Sequence, residues 1–507
     1  MDLFTVASIV IVLSALFGYI NVKFLRLPNT IGLMLIAIVF TLLLFVSTSF
    51  TPKLLEFANE LIAKIDFETV LLDVLLGFLL FAGAMHTNFD QLKVQRWPVL
   101  VFATIGVLTS TFLIGGLVFV TFPLLELNPK FIHCLLFGAL ISPTDPIAVL
   151  GILKRAGVPK KLETKIVGES LFNDGVGVVV FLTIMSIAGG SSHAERKVDP
   201  AEGAEQITAV LHVQEDLDEA ADEDQSSENS ALDDDGNAGR VGGGGEALVE
   251  TEEHGGDDGN NGDEGHGGDE GHGGEVSVQA IVQLFGKEVL GGILLGFVLG
   301  CITYLMLRSI DDYEIEIMIT LACVMGGYSL AMYWHLSAPL AMVVAGLMVG
   351  NDTVRGTAMS RQTEAYVDKF WELMDMLLNA VLFVLIGLEI LLLLQSFEMS
   401  YLWAGLIAIV IVLYSRFTSL VLPVQFFKKK LEFVPYTATI MTWGGLRGGI
   451  SIALALSLGR QMDRDLFLTV TYCVVVFSIV IQGLSVGSLA KSLIGKENLA
   501  QPDTGGH

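Results

Sequence analysis

Stretches of roughly 20 mostly apolar residues, the length that carries a helix across a hydrocarbon layer, recur thirteen times along this chain of 507 residues. That repetition leaves little choice of fold. Hydrocarbon offers no partner to a backbone N–H or C=O, so each spanning stretch must close its hydrogen bonds on itself as a helix. The approximate cores are 3–22, 28–49, 69–86, 97–122, 131–153, 164–189, 281–306, 312–334, 337–351, 371–395, 401–426, 434–459 and 465–489, the ninth being the shortest. The chain is 52% hydrophobic and only 17% charged, too apolar for a water-soluble globule. The expectation is an all-α polytopic membrane protein of about 13 transmembrane helices. An amphipathic stretch, Lys53 to Glu68, is expected to lie along the interface.

Charge placement gives a topology. With the N-terminus outside, the inside loops and C-terminal tail hold 18 Lys and Arg residues, and the outside loops hold five once the long insertion and its flank are set apart. The bias fits the positive-inside rule and an odd number of crossings. The first apolar segment follows Met1-Asp2 with no basic stretch before it, and so reads as a retained helix, not a signal peptide. The four cysteines, Cys134, Cys301, Cys323 and Cys473, sit in apolar runs at unrelated spacings and read as small buried residues.

The net charge of −26 is local. Residues 195–275 contain 26 Asp and Glu against Arg196, Lys197 and Arg240, so this segment carries −23 and the remainder −3. The segment has no aromatic residue and is rich in Gly, which predicts disorder. Its histidines, as in Gly265-His266-Gly267-Gly268-Asp269-Glu270-Gly271-His272, are either weak divalent-metal ligands or parts of a solvated acidic linker. The organisation expected is transmembrane helices 1–6 over residues 1–189, a disordered acidic extracytoplasmic insertion over 190–278, a connecting helix over 279–311, helices 8–13 over 312–490 and a short cytoplasmic tail over 491–507.

The thirteen segments divide as six, one and six, which suggests two inverted repeats. The fifth segment is interrupted at Ser142-Pro143-Thr144-Asp145-Pro146 and the twelfth at Trp443-Gly444-Gly445-Leu446-Arg447-Gly448-Gly449. Interrupted segments at matching places in two halves point to a transport site.

Polar residues inside apolar runs are expensive, so each needs a partner or a function. The sixth segment carries Gly168-Glu169-Ser170-Leu171-Phe172-Asn173-Asp174-Gly175. Helical spacing puts Ser170 and Asp174 on one face, and Glu169 and Asn173 on the adjoining one. Carboxylate, hydroxyl, amide and free carbonyl oxygens together suit a hard cation such as Na⁺. Low dielectric disfavours a charged carboxylate, so a proton competes with the metal ion at such a site. In the fifth segment the prolines leave carbonyls near Thr144 free to face a cavity, and Asp145 either binds the cation or neutralises a helix N-terminus. Arg416 and Arg447 lie in the eleventh and twelfth segments and need acidic partners, for which Glu169 and Asp145 are placed. Asp73 and Glu389 also lie in apolar runs without a linked motif.

Thr144-Asp145-Pro146, Glu169-Ser170-Leu171-Phe172-Asn173-Asp174-Gly175 and Gly445-Leu446-Arg447-Gly448 together resemble the signature set of NhaP-type sodium/proton antiporters. These belong to the first monovalent cation:proton antiporter family, with the eukaryotic sodium/proton exchangers. The resemblance covers nearly the whole chain apart from the insertion. It implies a homodimer with a six-helix core that moves like an elevator, and broken helices 5 and 12 that cross at mid-membrane. By motif it implies that Asp174 binds cation and proton competitively, with Ser170 and the Thr144 carbonyl as further ligands. It further implies that Asn173 fastens Glu169, that Glu169 pairs with Arg416, and that Asp145 compensates helix ends near Arg447. Asn173-Asp174 resembles the electroneutral branch.

The resemblance implies a secondary transporter and not an enzyme, with no cofactor and with transported Na⁺ or Li⁺ and H⁺. The expected partners are the bilayer, small monovalent cations, protons and a second copy of the chain, without nucleic acid. The expected location is the cell (inner or plasma) membrane. K⁺/H⁺ exchange stays open beside it, because these residues do not fix the Na⁺ over K⁺ preference. An intramembrane hydrolase would need a Gly-x-Gly-Asp or Gly-x-Ser-x-Gly element, which Leu171-Phe172-Asn173-Asp174 and Gly168-Glu169-Ser170-Leu171-Phe172 lack. A passive channel fits the paired interruptions less well than alternating access does. Three features depart from the resemblance. An acid common in the third helix is replaced by Ala82 within Leu80-Phe81-Ala82-Gly83-Ala84, the insertion is large, and the tail is short.

Overall fold

A computed structural model describes residues 3–48, 69–87, 89–145, 152–153, 156–189, 278–351, 358–395, 398–427 and 436–500. The thirteen apolar segments appear in it as α1 (Leu3–Ile20), α2 (Asn29–Thr48), α3 (Val70–Met85), α4 (Arg96–Leu125), α5 (Phe131–Ile141), α6 (Lys160–Ile187), α7 (Val278–Ser309), α8 (Tyr313–Tyr333), α9 (Ala338–Val349), α10 (Arg361–Gln395), α11 (Met399–Phe427), α12 as two halves (Thr437–Trp443 and Gly449–Leu456), and α13 (Arg464–Ile494). Among the described residues there is no strand, only one antiparallel bridge between Asp145 and Leu446. The Lys53–Glu68 stretch and Pro146 lie outside the described residues, as does the side chain of Asp73. By contacts the chain divides into two units, Met1–Ser192 with Ser277–His507, and His193–Val276. The second unit lies outside the described residues, and with it the expected disorder of the insertion.

Nine of the helices among the described residues are long and apolar enough to cross a membrane unaided. Of the others, α5, α9 and α12 are short or broken at positions visible in the sequence. Pro143 has no N–H with which to continue the ladder of α5, and the helix ends before it. The glycines of Gly444-Gly445 and Gly448-Gly449 interrupt α12, with Gly444 closing the first half and Gly448 preceding the second. The ninth segment is a helix of 12 residues started by Ser337, whose Oγ accepts from the Leu340 N–H at 3.4 Å, with Pro339 in its first turn.

Packing sorts the helices into two groups. One contains α1–α3 and α7–α10, where α9 packs on α7 and α3, and α10 packs on α2 and α3. Polar bonds join its members: Thr41 Oγ1 donates to the Gly387 carbonyl at 2.7 Å, and Trp371 Nε1 donates to Thr320 Oγ1 at 3.1 Å. The other contains α4–α6 and α11–α13, with α4 against α5 and α11, and α13 against α11 and the second half of α12. Phe137 and Phe467 stack at 5.4 Å between α5 and α13. His133 Nδ1 meets Asp463 Oδ2 at 2.8 Å and ties the start of α5 to the link before α13. In a lipid environment such contacts act through close packing and interhelical hydrogen bonds, because lipid tails are as apolar as leucine. Both interrupted helices belong to the second group.

Candidate functional site

The two interruptions cross each other. The Asp145 N–H donates to the Leu446 carbonyl at 2.8 Å, so a donor of one break is satisfied by an acceptor of the other where no helix does so. The crossing leaves little room for a side chain. A Cβ on Gly448 would stand 2.9 Å from Asp145 Oδ2, and one on Gly445 would stand 3.1 Å from Arg416 Nε and 3.2 Å from Thr144 Cγ2.

The helix ends exposed by the breaks are covered by named groups. Arg447 Nη1 donates to the Ser142 and Pro143 carbonyls at 2.6 and 2.7 Å, which places a cation at the C-terminal end of α5. The Asp145 carboxylate lies against Gly448, the residue that opens the second half of α12, and so places an anion at a helix N-terminus. A π-turn in α13, Ser478–Gln482, covers the break in α12 from behind. Ser478 Oγ accepts the Arg447 N–H at 2.9 Å, and Gln482 Nε2 donates to the Trp443 carbonyl at 3.1 Å.

On α6, Glu169 is buried and held by both arms of Arg416. Nη1 reaches Oε1 and Nη2 reaches Oε2, each at 2.7 Å. This is the parallel two-bond geometry in which guanidinium recognises carboxylate best. One helical turn on, Asn173 Nδ2 donates to Glu169 Oε1 at 2.8 Å and to Thr144 Oγ1 at 2.9 Å, while its Oδ1 accepts the Thr144 N–H at 3.2 Å. Thr144 Oγ1 also meets Ser170 Oγ at 2.8 Å. Glu169, Ser170, Asn173, Thr144 and Arg416 thus form one buried network that joins α5, α6 and α11.

Asp174 stands apart from it. The residue is buried, yet its carboxylate takes no hydrogen bond among the described residues. It lines a cavity of about 50 Å³ together with Thr144 and Asp145. Of the residues predicted for the site, the structure therefore brings Thr144, Asp145 and Asp174 to this cavity. Ser170, Asn173, Glu169 and Arg416 stand behind it, and Arg447 lies beneath the crossing. Ser170 is not among the cavity-lining residues, its hydroxyl being turned to Thr144. The Thr144 carbonyl accepts no hydrogen bond among the described residues. Glu389, on α10, is buried away from this cavity. No group of three or more His, Cys, Asp or Glu suited to a metal ion occurs among the described residues.

Ser142, Ser478, Gln482 and Asn379, which also lines the cavity, are not among the residues the sequence predicts for the site. The signal for Ser142 is its position before Pro143, at a helix end that needs capping. Ser478 and Gln482 carry none, since single polar residues at one turn's spacing are ordinary in a helix. Asn379 stands one turn after Asp375, a spacing that sequence shows but does not interpret.

The family described as "Sodium/hydrogen exchanger, transmembrane" matches residues 11–211 and 265–492. The chain is 42% identical over 498 residues to the Na(+)/H(+) antiporter NhaP of Pseudomonas aeruginosa, covering 97% of each chain. It is 28% identical to the Na(+)/H(+) antiporter NhaH of Halobacillus dabanensis, covering 93% of each. The solved structure of the sodium proton antiporter MjNhaP1 from Methanocaldococcus jannaschii has the same fold, with a TM-score of 0.62 at 18% identity over 98% of this chain and 100% of that one. The family is one of membrane transporters, not enzymes, and this multi-pass chain belongs to the sodium/hydrogen exchanger family.

Proposed function

We propose that the chain exchanges Na⁺ or Li⁺ for H⁺ across the cell membrane, one for one, with Asp174 as the group that binds cation and proton in turn. The observation that carries this reading is the state of Asp174. Every other polar side chain of the α6 motif is engaged by a neighbour, while this buried carboxylate faces a cavity with no hydrogen-bond partner among the described residues. A carboxylate so placed needs a counter-charge, and either a proton or a metal ion supplies it. Oxygen ligands stand beside it in the Thr144 carbonyl and Asp145, and Ser170 joins them if its hydroxyl turns from Thr144. The Glu169–Arg416 pair and Asn173 then hold α5 and α6 in register, and Arg447 and Asp145 balance the helix ends.

The division of the helices supports alternating access. The cavity lies between the group of α4–α6 and α11–α13, which holds the site, and the group of α1–α3 and α7–α10. Sliding the first group against the second as an elevator would carry Asp174 from one face to the other. The exposed apolar faces of α1, α2 and α7 suit lipid and the second copy of a homodimer. The positive-inside bias supports an orientation with the N-terminus and the 190–278 segment outside and residues 491–507 in the cytoplasm.

The test is dequenching of a pH-sensitive dye in everted vesicles on addition of Na⁺, Li⁺ or K⁺, with Asp174→Asn beside wild type. Wild type should collapse the proton gradient with Na⁺ and Li⁺, and Asp174→Asn should not while remaining folded. Half of wild-type exchange in the variant would remove Asp174 from the role. A response to K⁺ alone would replace Na⁺ as the cation.

A further inference from the structure

The cavity beside Asp174 has two unlike walls. The helix group that holds the site contributes Thr144, Asp145 and Asp174. The opposite wall is Leu79, Leu80 and Gly83 of α3 with Asn379 and Leu382 of α10. Among the described residues, Asn379 is thus the polar side chain that this second group brings to the cavity.

The orientation of its amide is fixed by chemistry. Asn379 Nδ2 donates to the Asp375 carbonyl at 2.9 Å and to Asp375 Oδ1 at 3.1 Å. A backbone carbonyl and a carboxylate are acceptors only, so the NH₂ end must face them and Oδ1 must point the other way. That oxygen accepts no hydrogen bond among the described residues. An amide oxygen with a free lone pair, bordering a cavity that holds a carboxylate, is a ligand for a hard cation. Asp375 is partly buried on the same helix, one turn before Asn379.

We propose that Asn379 is a further cation ligand, supplying its Oδ1 from the α10 side of the cavity, and that Asp375 is the positioning residue that holds the amide in this orientation. The inference rests on the reading of the cavity as the cation site and adds a residue outside the three motifs. A cation entering the cavity must shed water, and each shed water needs a replacement oxygen. The wall formed by α3 has none to offer, since Leu79, Leu80 and Gly83 carry no side-chain oxygen. The Asn379 oxygen fills that place. Turned end for end, the same amide would present an NH₂ to the ion, so Asp375 acts through Asn379 by preventing the turn.

The experiment is reconstitution of full-length variants in proteoliposomes, with KM for Na⁺ and maximal rate measured separately. Asn379→Leu keeps the branched shape and removes the oxygen. It should raise KM about tenfold, the loss expected for one good contact to a charged group, with maximal rate within about twofold. Asp375→Asn combined with Asn379→Asp exchanges the amide and the carboxylate, so that an NH₂ at position 375 holds a carboxylate whose second oxygen still faces the cavity, and this pair should not raise KM. A packing role would make both variants worse alike, and that result overturns the proposal, as does an Asn379→Leu variant with wild-type KM. Asp375→Asn should raise KM by less than Asn379→Leu, and combining it with Asn379→Leu should add nothing further, because it acts through the same atom. If Asn379→Leu is not recovered folded, Asp375→Asn decides alone, and an unchanged Na⁺ KM overturns the proposal. A wild-type protein with no Na⁺-driven exchange would instead remove the underlying reading, an outcome distinct from an active wild type with an indifferent Asn379.

Discussion

Arg416 grips both carboxylate oxygens of Glu169 at 2.7 Å across the interface of α11 and α6, with both residues almost completely buried. The pair has little solvent to fall back on. Removing the arginine leaves a carboxylate in a low-dielectric interior with only the Asn173 amide, at a cost on the order of 3–5 kcal/mol. Arg416→Ala should therefore lower the midpoint of thermal unfolding in detergent sharply. Glu169→Gln in the same chain should restore part of the loss, because an amide needs no counter-charge. A double-mutant cycle measures the coupling, and simple additivity would mean that the two are not energetic partners.

Much of this site was legible in the sequence because polar groups in apolar runs announce themselves. Glu169, Asn173, Asp174, Arg416 and Arg447 each stand out against aliphatic neighbours, and the structure gathers them at one crossing. The breaks were legible for a different reason, since Pro143 and the paired glycines of α12 cannot continue a helix. What could not be read was direction and pairing. Sequence does not say that Arg447 would reach back to the Ser142 and Pro143 carbonyls, or that a π-turn would present Ser478 to the Arg447 N–H. Nor does it say that Ser170 would turn to Thr144 and leave the cavity to Asp174. Asp375 and Asn379 were passed over because α10 begins with many charged residues, among which one more acid carries no signal. Glu316 was missed likewise, though α8 buries it completely.

The crossing of the two breaks gives a prediction about shape. A methyl on Gly448 would stand 2.9 Å from Asp145 Oδ2 and 3.0 Å from its Cβ. Neither break can yield without disturbing the Asp145–Leu446 bridge. Gly448→Ala should cost about 1–3 kcal/mol, the usual range for overpacking, and should slow exchange. Gly459→Ala is the control, since a Cβ there meets nothing within 4 Å. Unfolding midpoints of the two variants, compared with wild type, give the answer, and equal midpoints would mean that the crossing tolerates a methyl group.

The acidic segment gives a prediction about access. It carries −23 of the net charge of −26, and the family match omits residues 212–264 within it. Charge of that density raises the local cation concentration within a Debye length, about 8 Å at physiological salt. Deleting Glu195 to Gly274 and closing the gap with a short Gly/Ser linker should leave the maximal rate intact. The apparent cation affinity on the outer face should weaken at low ionic strength and stay the same at high. Loss of exchange in a folded deletion variant would assign the segment a role beyond attracting ions.

Stoichiometry follows from how the carboxylates of the motif are used. Glu169 is neutralised by Arg416 and further held by the Asn173 NH₂, so it has no need of a transported charge. Asn173 is an amide whose donors and acceptor are all engaged, and it binds no proton. Asp145 and Arg447 sit at opposite helix ends of the crossing, where each offsets a dipole. Asp174 is left as the one motif carboxylate whose charge must be met by whatever occupies the cavity. If it carries one Na⁺ in one direction and one H⁺ in the other, no net charge crosses the membrane in a cycle. Exchange rates in proteoliposomes should then be the same whether the potential is clamped at zero or set to either sign with a K⁺ gradient and valinomycin, with K⁺ alone as the control. A rate that follows the potential, or a transient current on a Na⁺ jump that scales with turnover, would require a second charge to move with the ion, and Asp375 beside Asn379 would be the first group to substitute.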